Sequence, residues 1–149
     1  MGNRILLHVL NDGALIKNNG SIIFAAPDVA QDIFSDAFHK FQSVGKIKEL
    51  YASNSDWALW ASGILNSPHD HHIARAGEGG ENILVLQGLE TVDATRLSSI
   101  WSSYGHSYVF ENSRATHDID QILNLGRKAD ERGLERREKN GATFWMFGP

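Results

Sequence analysis

The most constraining feature of this chain is how its apolar periodicity switches along the sequence. Ile5, Leu6, Val9 and Leu10 recur at helical spacing over residues 4 to about 18, and Asn18-Asn19-Gly20 forms a stop signal. Ser21 to Asp28 is a short, nearly continuous apolar run ending in a proline turn. It predicts a strand buried on both faces, the kind found in parallel sheets. Helical spacing returns over residues 29 to 43 through Val29, Ile33, Phe34, Ala37, Phe38 and Phe41, until Gly45 breaks it. Lys46 to Ser53 alternates and predicts a second strand, which runs into the polar turn Ser53-Asn54-Ser55-Asp56. Trp57 to Leu65 predicts a short helix, residues 66 to 80 a loop, and Ile83 to Leu86 a third strand continuing less clearly to Val92. Asp118 to Leu125 predicts a closing helix, before a tail that ends in Phe144-Trp145-Met146-Phe147. Helices alternating with strands imply right-handed crossovers and a doubly wound parallel α/β sheet. Ligands of such sheets sit beyond the carboxyl ends of the strands. Chemistry is therefore expected at Ser53 to Asp56 and in the region leading to His106.

Composition narrows the function classes. The 149 residues suffice for one domain with a real core, and 42% hydrophobic with 21% charged residues is a globular balance. A net charge of -4 gives no electrostatic reason to expect nucleic acid as a partner. The one basic cluster, Arg132, Arg136, Arg137 and Lys139, is interleaved with Glu131, Glu135 and Glu138, and reads as a solvated helix face. With no cysteine, disulfides and thiolate metal sites are excluded. No apolar run reaches the ~20 residues of a membrane helix, and no signal peptide is visible, so a cytoplasmic location is expected. His69-Asp70-His71-His72 carries groups that suit zinc or nickel. Its spacing matches no standard site, and a solvated loop is the expected reading. His8, His39 and His117 are expected at the surface, and Trp57, Trp60, Trp101 and Trp145 in the core.

Four stretches, taken in order, resemble a bacterial α/β-hydrolase family of unknown function within the esterase/lipase superfamily. Met1-Gly2-Asn3-Arg4 resembles the end of an H-S-M-G-N-R nucleophile elbow. Ala25-Ala26-Pro27-Asp28 resembles the next strand exit, Tyr51 to Leu59 the turn bearing the catalytic acid, and Gly105-His106-Ser107-Tyr108, with Asp118 following, the histidine loop. Arg75-Ala76-Gly77, Val92-Asp93 and Trp145 are weaker matches. The resemblance implies the C-terminal half of an α/β-hydrolase, a single domain over residues 1–149 that is N-terminally truncated relative to the family.

The resemblance also implies roles. The elbow follows G-x-S-x-G, of which only Met1 and Gly2 fall in this chain, so the nucleophilic serine is expected just before Met1. Asp56 is the implied acid and His106 the implied base, in the order serine, acid, histidine. The backbone nitrogen of Met1 stands where one oxyanion donor belongs. Asp93 is the alternative acid, because it too follows a strand, and Asp56 could instead cap the helix starting at Trp57. The implied reaction is carboxylic-ester hydrolysis on a small ester substrate, with no cofactor. A half-fold of this kind is expected to pair with an N-terminal half polypeptide or with a second copy. The competing classes are a non-catalytic remnant or binding module that keeps the half-fold, and a weak metal-binding protein acting through residues 69–72.

Overall fold

The computed structural model describes residues 2–12, 20–54, 74–98 and 112–149. The elements run α1 (Gly2–Asn11), β1 (Ile22–Ala25), α2 (Gln31–Phe41), β2 (Lys48–Ala52), a 3-10 turn (Gly80–Asn82), β3 (Glu90–Asp93), α3 (Thr95–Ser98) and α4 (Ser113–Leu125). A second 3-10 turn (Ala129–Glu131), β4 (Glu135–Lys139) and β5 (Ala142–Met146) complete the order. Among the described residues the strands form one sheet in the order β1-β2-β3-β5-β4. The first four are mutually parallel, and β4 is antiparallel to β5. The expected doubly wound α/β architecture is present.

Register divides the core into two layers. On one face Ile22, Phe24 and Leu50 pack beneath α1 and α2 against Leu7, Leu10, Phe34, Phe38 and Phe41. Phe24 meets Phe34 edge-on at 5.0 Å, and Phe38 meets Phe41 edge-on at 5.4 Å. Both have the geometry that the ring quadrupole favours. On the other face Tyr51, Val92, Leu97, Ala115, Ile122 and Phe147 pack beneath α4. Asn112 caps α4 by accepting the Arg114 amide at 2.9 Å. Gly126 ends it in the left-handed region at φ 63, its amide bonded to the Ile122 carbonyl.

Several expectations need correction. In β1 only Ile22 and Phe24 are buried, while Ile23 and Ala25 are half-buried, because β1 ends the strand order. In β2 the alternation conceals a strand buried at all five positions, Glu49 included. The third strand is Glu90–Asp93 rather than Ile83–Leu86. Ile83 and Leu84 are buried as irregular chain, and the Leu84 carbonyl accepts the Thr91 hydroxyl at 2.9 Å. The basic cluster is no helix face. Arg136, Arg137 and Lys139 lie on β4, an edge strand turned by Asn140-Gly141, both at positive φ. An Asn-Gly pair favours this hairpin, and alternating charge protects its open edge. Arg132, from the same cluster, is buried.

Candidate active site

The carboxyl ends of β1, β2 and β3 lie on one edge of the sheet, as parallel register requires. The first turn of α1 is fastened there, where Asn3 Nδ2 donates to the Ala25 carbonyl at 2.8 Å. The start of α1 thus sits beside the exit of β1. The exit itself is strained: Ala26 has φ 41, a left-handed conformation costing roughly 1–2 kcal/mol for a residue with a Cβ. Strain of this sort collects at functional sites.

Residues 74–80 form a strap across these strand ends. Gln31 N–H donates to the Ala74 carbonyl, Ala76 N–H to Val29, Gly77 N–H to Pro27, and Ser53 N–H to Gly77, at 2.8 to 3.0 Å. The strap can lie so close because it carries glycine. A Cβ on Gly77 would stand 2.4 Å from the Ala26 carbonyl carbon, and one on Gly79 would stand 2.9 Å from Asp93 Oδ1. Asp93 closes the arrangement. Its Oδ2 accepts the Gly80 amide at 3.0 Å and its Oδ1 accepts the Thr95 amide at 2.9 Å. The Thr95 hydroxyl in turn accepts the Asn54 amide at 3.0 Å. Asp93 is 2% exposed, with both oxygens committed to backbone amides. That is the work of a carboxylate that anchors a loop.

A second polar constellation lies beneath α4. The guanidinium of Arg132 donates from Nη2 to Glu49 Oε1 at 2.6 Å and from Nη1 to Asp118 Oδ2 at 2.6 Å. Tyr51 also donates to Asp118 Oδ2, at 2.5 Å. Glu90 stands 3.8 Å from Nη2. The Arg132 and Glu49 side chains are wholly buried and that of Asp118 nearly so. Burial pushes the Glu49 carboxyl well above the usual carboxylate range, despite the opposing pull of Arg132. Asp118 is raised for the same reason, and Tyr51 is raised by burial and by the carboxylates around it. Burial alone would lower Arg132, but the attraction of Glu49 and Asp118 outweighs it and holds the guanidinium charge more firmly. Sequence reasoning missed this cluster. The available signal was Glu49, an acid inside a strand segment, which needs a cation beside it once that strand is buried on both faces.

Of the expected site residues, Met1, Asp56, His106 and His69-Asp70-His71-His72 lie outside the described residues, as does the predicted Trp57–Leu65 helix. Asp93 lies where a strand-end acid was expected, with the structural commitments given above. Among the described residues no group of three or more His, Cys, Asp or Glu could hold a metal ion, and no helix is long and apolar enough to cross a membrane. A cleft of about 420 Å³ runs between α1 and α2 from Arg4 to Asn11 and Lys40, along the helices rather than over the strand ends.

A family described as alpha/beta hydrolase of unknown function (DUF900) matches residues 1–124. No curated protein and no solved structure matches the chain.

Proposed function

The chain belongs to the DUF900 family of α/β-hydrolases, and from that premise we propose that it carries the acid and the base of a serine-dependent carboxylic-ester hydrolase. Asp56 orients His106 and supports its positive charge. His106 takes the proton from an attacking serine and passes it to the leaving alcohol. The serine occupies the position before Met1 in the elbow pattern, and the backbone nitrogen of Met1 helps to hold the oxyanion. A small ester is the substrate class, acyl transfer to water is the reaction, and no cofactor takes part.

The observation that carries this reading is the Asn3 bond to Ala25, which fastens the start of α1 at the carboxyl edge of the sheet. A serine just ahead of Met1 would then stand at the sheet edge onto which β2 feeds the chain toward Asp56. Asp93 accepts the Gly80 and Thr95 backbone amides, a loop-anchoring role that supports Asp56 as the acid.

The test is hydrolysis of a short-chain nitrophenyl ester by a polypeptide joining residues 1–149 to the coding sequence upstream of Met1. His106→Ala is expected to lower kcat by about 10⁶-fold and Asp56→Asn by about 10⁴-fold. Full activity in both variants would overturn the assignment.

A further inference from the structure

The charges around Arg132 do not balance. The guanidinium donates from Nη2 to Glu49 on β2 and from Nη1 to Asp118 on α4, at 2.6 Å each. Glu90, on β3, stands 3.8 Å from Nη2 and reaches solvent. With Glu49 and Asp118 both ionised, the closed cluster would hold two negative charges against one positive, and Glu90 would add a third from its rim. Carboxylates that share a site oppose each other's ionisation. An uncompensated charge in a closed interior is costly enough that such a group binds a proton instead.

Hydrogen bonding decides which acid keeps that proton. Asp118 Oδ2 accepts from both Arg132 and the Tyr51 hydroxyl. Among the described residues Glu49 accepts from Arg132 alone, and its Oε2 is buried without a partner. Donors favour the ionised form of the acid that accepts them. Asp118 is therefore the carboxylate and Glu49 the protonated acid. The other titratable neighbour is His117, exposed on α4, whose charge favours ionised Asp118.

The segment that supplies the cation is able to move. Gly126 and Gly133 bracket residues 127–132, at φ 63 and φ 73, with open space where a side chain would stand. Between them the buried Ala129 donates its amide to Glu90 at 2.9 Å, and Arg127 donates to Gln121 Oε1 at 2.9 Å. The hydrogen bonds between Lys128 and Glu131 stay within the turn itself. Arg132 is thus the bond by which this turn grips β2.

We infer that the cluster is a proton-linked clasp: a proton on Glu49 keeps the turn over residues 127–132 closed against β2, and its loss lets that turn lift and admit water while the sheet stays paired. Lifting hydrates both acids and the guanidinium, which removes the penalty of the second negative charge. The closed state binds the proton more tightly than the open one, so opening grows as pH rises.

The 149-residue chain has no cysteine, so one introduced thiol reports opening at one place. Ala129→Cys reports the turn, and Ala37→Cys, buried on α2 in the other core layer, reports opening of the whole molecule. Each is labelled with iodoacetamide as pH is raised through neutrality. Dividing the first rate by the second cancels the pH dependence common to both thiols. The ratio should rise with pH by up to about tenfold per unit, the limit for loss of one proton. Glu49→Gln, neutral at every pH, should hold the ratio flat, and His117→Gln should leave the rise in place. Should Ala129→Cys fail to fold, hydrogen exchange at the Ala129 amide relative to the Phe34 amide of α2 supplies the same ratio. A flat ratio with Glu49 present, a rise that survives Glu49→Gln, or a rise that His117→Gln removes would each overturn the clasp.

Discussion

Two acids buried around one guanidinium determine how the protein should respond to pH. Glu49 and Asp118 both have carboxyl groups raised by burial, so the native state binds protons that the unfolded chain releases. A raised pKa contributes stability that is complete below the unfolded value, near 4.5 for Glu49, and is lost as pH rises through the folded value. The urea midpoint should therefore fall as pH rises above the unfolded value, and Glu49→Gln should flatten that fall while keeping an acceptor for Arg132. An unchanged slope in the variant would count against a raised Glu49. Removing the cation is harsher. Arg132→Met leaves two acids in a cavity without a counter-charge and should cost about 3–5 kcal/mol, measured by equilibrium unfolding. The sequence displayed these residues without their relationship. Glu49 sits beside Lys48 in a run that alternates, and its partner lies 83 positions away, beyond any local pattern. Arg132 sat among surface charges of alternating sign, and nothing in composition distinguishes it from Arg136.

At the scale of elements, the strap over residues 74–80 depends on backbone contact that tolerates no side chain. Gly77→Ala would force a Cβ against the Ala26 backbone, where no flexible group can yield. It should cost at least about 2 kcal/mol, read as a lowered urea midpoint with an unchanged m-value. Asp93→Ala would strand the Gly80 and Thr95 amides and should cost about 2–4 kcal/mol by the same measurement. Asp93→Asn should retain most of the esterase activity that Asp56→Asn abolishes; equal losses would restore Asp93 as the acid. Helices α1, α2 and α4 and the first two strands were legible because each carries a period that burial enforces: Phe34, Phe38 and Phe41 on α2, and Phe24 and Leu50 on adjoining strands. The third strand was displaced because Ile83 and Leu84 are as apolar as any strand residue, yet fill the core as irregular chain. The hairpin β4–β5 was missed for the opposite reason. Its edge strand is charged at all five positions, and only Asn140-Gly141 marked the turn.

For the whole molecule, the parallel order β1-β2-β3-β5 directs four strand exits to one edge, and α1 begins on that same edge. Topology thus gathers residues far apart in sequence, which is why an ordered set of weak motifs could point to a fold that none of them specifies alone. The family match over residues 1–124 agrees with that reading of the fold. The candidate site was legible only as far as resemblance reached. Composition cannot distinguish Asp56 as a helix cap from Asp56 as a catalytic acid, since both roles need a carboxylate just after a strand.

The measurement that bears most directly on the central claim is the location of a fluorophosphonate adduct by mass spectrometry, on the polypeptide that extends upstream of Met1. The account predicts a single adduct on a serine immediately preceding Met1, formed far more slowly when His106 is replaced by Ala. An adduct on Ser53, Ser107 or any other residue of the 149, or none at all, would contradict it.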